Sequence, residues 1–508
     1  MNFIIKSAAI LFINFSFAQE IIKVEIIDSE TSEPVSYAAV KFIGTSRGIL
    51  ADYNGQFRLP INKIKDITTI KISSIGYETI IVDISSLSIS DINILKIKPK
   101  IEQLETVILT VPRKKKKNLS AIKIVKKAVN SIKSNLASNP HSYIGYYRDY
   151  QIFNDGEYYN LNEGIIEQFD HGISSHKLID ARNQSALYQF NKNLNYKSDS
   201  LLASAYGNKE KYIQNADIVS FGGNELSILN AHNPIRIFNQ ASFSFVYKLE
   251  KEFLSNHNFS KGEKIINDEE VLIRILFTGE KSKITQNYSV KGEMIISLLD
   301  FGIYNFKYVI YDANKSSPLL NIDIEYKRHK NKIYLNYMSC NNRFYVQDND
   351  VFKEKEIIYN KTLNRFEIEF NRNTNEKTLN KSNFKIFYKN RKMPISKLRI
   401  KDEKRIILDI AKIEPELDST SRKQTNSIQV LIKKVRDFNN RLIYARINKP
   451  AYQFREFFVQ EIFEDKKLDP SIQYIDKLKP LSKSQINILN NIDDYIINSP
   501  LMKRKLYR

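Results

Sequence analysis

The sequence predicts a mainly β, multidomain protein. At 508 residues the chain is several times longer than one domain of roughly 100–200 residues. Its hydrophobic residues, 42% of the total with 11% aromatic, suffice for real cores and exclude a disordered chain. Most apolar runs are short, alternate with polar residues and stop at turn residues, as strands with one buried face do. These observations place a small sandwich first, a large antiparallel sheet with a packed helix next, and a further β unit after it.

Residues 1–18 read as a signal peptide. Lys6 precedes an apolar run from Ser7 to Phe17, and Ser16-Phe17-Ala18 is a small-x-small cleavage site before Gln19. The run is too short for the roughly 20 residues of a spanning helix. No later stretch is long enough either, so an exported mature chain without a transmembrane segment is expected. No cysteine follows the cleavage site, which argues against a lipoprotein anchor. The single cysteine, Cys340, excludes an intrachain disulfide and argues against cysteine-based zinc ligation.

Residues 19–111 are expected to form the first sandwich. Val24 with Ile26, Val40 with Phe42, Phe57 with Leu59 and Ile70 with Ile72 mark its strands, and Asn54-Gly55 marks a tight turn. Gly48, Asp52, Gly55 and Phe57 follow a hairpin pattern of G, then D-x-x-G-x-F. Pro34 and Ala38-Ala39-Val40 lead into a strand, and Ser74-Ile75-Gly76-Tyr77 gives S-x-G-Y. On these residues the segment resembles the carboxypeptidase-regulatory-like, transthyretin-related domain at the front of exported proteins of the Bacteroidetes type. Ala51 departs from that family, which usually has Thr there. The resemblance implies a transthyretin-like β-sandwich without catalysis of its own. It gives Pro34, Gly48, Asp52, Gly55, Phe57, Gly76 and Tyr77 structural roles. It also implies a place beside outer-membrane transport or assembly systems.

Residues 112–142 combine a basic linker and a helix. Arg113, Lys114, Lys115, Lys116 and Lys117 suit contact with anionic lipid or glycan, but a solvated linker is the favoured reading of such a run. Over 120–136, Ile122, Val125, Val129, Ile132 and Leu136 recur at helical spacing behind Ser120 as N-cap. The stripe has no Trp or Phe anchor, so packing on a sheet is favoured over lying on a membrane.

Residues 143–357 are expected to form the large antiparallel sheet domain. Tyr304, Phe306, Tyr308 and Ile310 alternate with Asn305 and Lys307, and Ile322, Ile324 and Tyr326 with Asp323 and Glu325, giving a sheet with one wet face. The segment KGEMIISLLDFGIYNFKYVIYD resembles the open sheets of lipoprotein carriers. Over 358–448, Phe366, Ile368 and Phe370 alternate with Glu367 and Glu369, and Ile428, Val430 and Ile432 form a later strand. Phe370, Thr374, Thr378-Leu379, Asn383-Phe384, Val435, Asp437 and Asn440 resemble the pattern of immunoglobulin-like modules of bacterial surface proteins, which implies an immunoglobulin-like β-sandwich. Residues 449–508 are expected as a C-terminal tail: YQFREFFVQEIF (452–463) again resembles exported proteins that carry the same N-terminal sandwich before a sheet, and 470–508 are expected to be helical or extended and polar, broken by Pro470, Pro480 and Pro500.

Chemistry is sparse in this sequence. Gly44-Thr45-Ser46-Arg47-Gly48 fits G-x-S-x-G, but a nucleophile elbow needs a strand before it and a helix after it, and here a strand follows. His141, His171, His176, His232, His257 and His329 head no zinc motif, so surface or loop histidines are expected. Asp52, Asn54 and Gly55 lack the acidic twelfth ligand of a calcium loop, since residue 63 is Lys. Glu163 and Glu167 are one carboxylate pair of the kind glycoside hydrolysis uses. Cys340 reads as an apolar filler.

The expected function is therefore non-catalytic binding or scaffolding in the cell envelope, without a cofactor or metal. The expected address is the periplasm or the outer-membrane periphery, with the cell surface as an extension. The net charge of +21 would suit nucleic acid, but export removes the chain from chromosomal DNA, so no nucleic-acid partner is expected. An envelope protein, or anionic lipid or glycan met by peripheral association, is the expected partner. Two alternatives stay open. One is a periplasmic carrier of apolar ligands, which needs a deep apolar cavity. The other is a hydrolase with a site assembled in 143–357.

Overall fold

The computed structural model describes residues 20–100 and 119–501, apart from 154–155, 208–209, 215–217, 244–245, 268–269, 280–287, 313–317, 349–350, 361, 389 and 412–427. The leader 1–18 and the run Arg113 to Lys117 lie outside the described residues. The chain divides into two compact units, one of Met1–Phe344 with Pro450–Arg508 and one of Tyr345–Lys449.

The first unit opens with a sandwich built from β1 (Ile21–Asp28), β2 (Ala39–Phe42), β3 (Gly48–Leu50), β4 (Gln56–Pro60), β5 (Thr69–Ser73), β6 (Ile80–Asp83) and β7 (Ile92–Ile97). One sheet runs β4-β1-β7 and the other β3-β2-β5-β6. Val24, Ile26, Val40, Phe42, Phe57, Leu59, Ile70 and Ile72 all point into the core between them. Gly55 takes φ +71°, and a Cβ there would sit 2.4 Å from the Ile26 carbonyl oxygen, so the turn accepts only glycine.

Helix α1 (Ala121–Asn130) follows. Ile124, Val125, Ala128 and Val129 are buried while Ile122 is 48% exposed. The expected stripe was thus one residue out of phase at its start, because Ala121 and Ala128 carry part of the buried face.

The large sheet contains β8 (His141–Ile152), β9 (Tyr158–Asp170), β10 (Ser185–Lys192), β11 (Lys211–Tyr212), β12 (His257–Asn267), β13 (Glu270–Gly279), β14 (Tyr288–Ser297), β15 (Ile303–Asp312), β16 (Pro318–His329) and β17 (Lys332–Asp348). The second unit then supplies β18 (Glu354–Asn360), β19 (Arg365–Phe370), β20 (Phe384–Tyr388), β21 (Arg391–Met393), β22 (Ile395–Ile400), β23 (Arg405–Ile410) and β24 (Ile428–Ile432). Finally β25 (Ile447–Glu464) returns to the large sheet. The order is β10-β9-β8-β25-β17-β16-β15-β14-β13-β12, with β11 on β17.

Two expectations change here. The segment expected as a tail from 449 begins with β25, which lies between β8 and β17 in the middle of the sheet. Its register places Arg455 opposite Asp149 and Glu456 opposite Arg148. A slip of one residue would oppose Arg455 to Arg148 or Glu456 to Asp149, so paired charges fix this register.

The second change concerns the wet face. On β15 the expected alternation holds, with Tyr304, Phe306, Tyr308 and Ile310 buried and Asn305 and Lys307 half-buried, but every residue of β8 is buried, because there both faces are covered. One face packs on α1 through Tyr143, Tyr147, Ile166, Phe306 and Tyr308. The other packs on the sandwich through Leu50, Ile144, Tyr146 and Tyr337. Residues 465–501 form no long helix and are stitched across the sheet. Ile475 and Asn487 donate backbone N–H groups to Ser185 and Leu187, and Asn498 reaches Leu50, Gln56 and Arg58 of the sandwich.

In the second unit the sheets β18-β19-β23-β22 and β21-β20-β24 share one core of Phe366, Ile368, Phe370, Phe384, Ile386, Ile406, Leu408 and Ile432. Among the described residues no helix is long and apolar enough to cross a membrane.

Candidate functional site

Strand parity sorts the charges of the large sheet onto two faces. On the sandwich face Arg148 donates to Glu456 at 2.6 Å and approaches Asp52 at 3.9 Å, with all three side chains at most 3% exposed. Burial pushes the Asp52 carboxyl up, and Arg148 opposes that shift. The same carboxylate accepts the backbone N–H groups of Asn54 (2.8 Å) and Gln56 (3.0 Å). One side chain thereby closes the sandwich hairpin and meets the sheet. Tyr37 stacks on Tyr337 beside it at 3.9 Å between centroids.

Glu163 and Glu167 lie on this face as well, fully buried and saturated with donors. Glu163 accepts from Tyr146, Asn193 and Ser499. Glu167 accepts from Ser142 and Tyr188 and pairs with Lys466. Carboxylates held this way are structural, since buried polar groups must find partners; they are not poised toward an open site.

The sandwich and the C-terminal segment do not cover the whole polar face. Where cover stops, a cleft of about 830 Å³ opens between β5 with its following turn and strands β15, β16 and β17. Lys71, Ser73, Ser74, Tyr77 and Lys100 line the sandwich side, and Tyr304, Glu325, Lys327, Arg328 and Asn336 line the sheet side. Gly76, at φ +89°, turns the chain so that Tyr77 enters the cleft wall and donates to Asp28 at 3.0 Å.

The cleft is unevenly charged. Arg328 is committed: it donates to Glu270 (3.1 Å), Asp300 (2.7 Å) and the Tyr304 hydroxyl (2.9 Å). Lys71 and Lys100 stand on the sandwich side and Lys327 on the sheet side, where Glu325 acts on its ammonium group. Burial pulls the Lys327 ammonium down, Glu325 opposes, and Lys41 of the sandwich adds to the lowering. Burial also raises the Glu325 carboxyl to about 7, and Asn336 donates to it at 2.7 Å. Glu78 and Glu270 are the other carboxylates of the lining; Glu270 is taken up by Arg328, which leaves Lys71, Lys100 and Lys327 facing Glu78 and a Glu325 only partly ionised near neutrality.

The opposite face carries a second ionic row. Arg455 pairs with Glu225 at 2.5 Å and donates to Asn342 at 2.7 Å. Burial, helped by Glu225, raises the Asp149 carboxyl to about 7, and burial lowers Lys211 to about 8. Cys340 lies in this row with its thiol pushed up to about 11 by burial, the reverse of nucleophile activation. Two small cavities of about 30 Å³ each lie beside the helix Glu225–Ala231, one lined by Leu136, His141 and Asn230 and the other by Leu226, Ser227 and Asn230.

Two of the histidines expected at the surface or in loops, His141 and His257, are buried in strands, while His232 lies half-buried in a turn. His141 bonds Tyr143 at 2.9 Å and His257 bonds Tyr308 at 2.7 Å. Burial lowers His232 and His257 to about 4. Among the described residues no three His, Cys, Asp or Glu side chains converge as a metal site.

Of the motif residues read from sequence, Pro34 bridges Ile27, Gly48 starts β3 against Val40, and Phe57 fills the core. Asp52, Gly76 and Tyr77 sit at the junction with the sheet. Sequence reasoning missed Lys71, Lys100 and Lys327. The signal was the run Asp323, Glu325, Lys327 on the polar side of β16; nothing local indicated which part of that side stays open.

Residues 22–109 match the family model of the CarboxypepD_reg-like domain, which identifies the N-terminal domain. No curated protein matches the chain. Among solved structures it is similar to a LolA superfamily protein from Nitrosomonas europaea, at 9% identity and TM-score 0.18 over 44% of this chain and 86% of that chain. A DUF1329 family protein from Desulfovibrio piger gives 9% identity and TM-score 0.19 over the same shares, 44% and 86%. A putative outer membrane lipoprotein-sorting protein domain from Vibrio parahaemolyticus gives 9% identity and TM-score 0.18, over 44% and 85%.

Proposed function

We propose that the chain is a non-catalytic binding or scaffold protein of the cell envelope, and that an acidic segment of a partner protein docks in the cleft between sandwich and sheet. The observation that carries this reading is the cleft itself: the open end of an otherwise covered polar face, with Lys71, Lys100 and Lys327 around it. A rigid frame favours binding over motion, because ordering costs are met before the partner arrives. The leader at 1–18 supports export, and the N-terminal domain type supports a place at the outer-membrane periphery beside a transport or assembly system.

An apolar-ligand carrier fits less well. The inner face that would hold lipid is filled by α1, Phe253, Phe277 and Phe306. A hydrolase also fits less well, since Glu163 and Glu167 are saturated and Cys340 is buried. The test compares envelope proteins captured by the tagged wild type and by the double variant K71E/K100E. The reading expects one partner retained by the wild type and lost by the variant at equal thermal stability. Equal capture by both, or turnover of an ester, peptide or glycoside substrate by the purified chain, contradicts it.

A further inference from the structure

The second unit carries a basic recess that no motif announced. It measures about 550 Å³ and is lined by Arg372, Lys404, Arg441 and Lys449, with amides from Asn371, Asn439 and Asn373, the last donating to Glu403. Asp437 is the one carboxylate in its wall, and it is 0% exposed. Its oxygens take the Arg441 backbone N–H at 2.8 Å and the Arg441 Nε–H at 2.7 Å, and Arg372 lies 3.7 Å away. A buried carboxylate that holds one guanidinium by a charge-assisted bond, with a second close by, fixes their orientation in advance.

The lip of the recess is Phe438, 79% exposed. A lone exposed ring is unremarkable by itself. Here its backbone is held: Phe438 donates to the Asn373 carbonyl at 2.8 Å, and Thr374 bridges Asp437. The ring is therefore presented on a fixed loop beside oriented cations and amide groups.

We infer that this recess is a second binding site, independent of the cleft in the first unit, and that it takes a chain of acidic sugars. Sugar carboxylates match the guanidinium and ammonium groups, hydroxyls match the amides, and the C–H face of a pyranose ring covers Phe438. A concave recess with one ring suits a chain more than a flat bilayer, which would ask for a broad apolar patch.

The test titrates the full mature chain with tetragalacturonate, with neutral maltotetraose, and with phosphatidylglycerol vesicles. Wild type should bind tetragalacturonate, with affinity falling as salt rises. Phe438→Ser and Lys404→Gln, both at exposed positions, should each weaken it by about tenfold, the equivalent of one lost stacking or ionic contact. Lys392→Ser, an equal loss of surface charge elsewhere in the unit, should leave it unchanged. Equal binding of maltotetraose, no loss in either recess variant, or binding of vesicles without tetragalacturonate would overturn the inference.

Discussion

Arg148 and Glu456 stand directly opposite each other on β8 and β25, 2.6 Å apart and both 0% exposed. The two residues are 308 positions apart in sequence, so this pair closes the sheet across the whole inserted unit. Tyr150 and Tyr337 donate to the same carboxylate, and Asp52 of the sandwich faces the guanidinium. Breaking such a pair leaves an uncompensated buried charge, worth about 3–5 kcal/mol. R148M should therefore lose about 3–5 kcal/mol in urea unfolding, and R148M/E456Q should regain part of it. A loss near that of a surface ion pair, below about 1 kcal/mol, would show that the seam does not hold the sheet.

Asp149 and Glu325 make stability depend on pH in a defined direction. Burial raises both carboxyls to about 7 in the folded chain, whereas the unfolded chain releases these protons near 4. Their stabilising contribution is thus present below about pH 4 and is lost as pH rises through 7. His232 and His257, lowered to about 4, act oppositely between about 4 and 6.5. The separation is made by comparing D149N/E325Q with wild type in thermal melts. The variant should gain on wild type from about pH 4 to pH 7 and level off above it, and a gap that stays constant across that range would refute the assignment.

Glu325 also tunes the cleft. Its ionisation above about 7 adds negative charge beside Lys327. Capture of an acidic partner should weaken between pH 6 and pH 8 in wild type and stay level in E325Q, where Asn336 keeps an acceptor. A parallel decline in both proteins would remove Glu325 from the site.

Cys340 is predicted to be inert. Its thiol is buried and raised to about 11, so an aromatic disulfide reagent at pH 8 should label it only after unfolding in guanidinium. Labelling of the native chain within minutes would reopen the hydrolase reading.

Much of the fold was legible in the sequence because its alternation is local. Phe57 and Leu59 in the sandwich, Phe306 and Tyr308 in the sheet, and Ile368 and Phe370 in the second unit each announce a buried face within five residues. β25 was not legible as a central strand. Arg455 and Glu456 interrupt its apolar run, and their partners Asp149 and Arg148 lie in a strand that gives no local sign of a future neighbour. The cleft was hidden for a related reason. Lys71, Lys100 and Lys327 come from distant segments and meet only because Asp52 and Tyr37 seat the sandwich on Arg148 and Tyr337.

The cleft as partner site is tested most directly by a photo-reactive residue placed at Thr79, which is exposed and lines it, against the same probe at Ile488, 91% exposed and outside it. In the cells that make the protein, Thr79 should yield one discrete adduct with an envelope protein, lost in K71E/K100E, and Ile488 should yield none. The same adduct from both positions, or an adduct indifferent to the lysine changes, would contradict docking in the cleft.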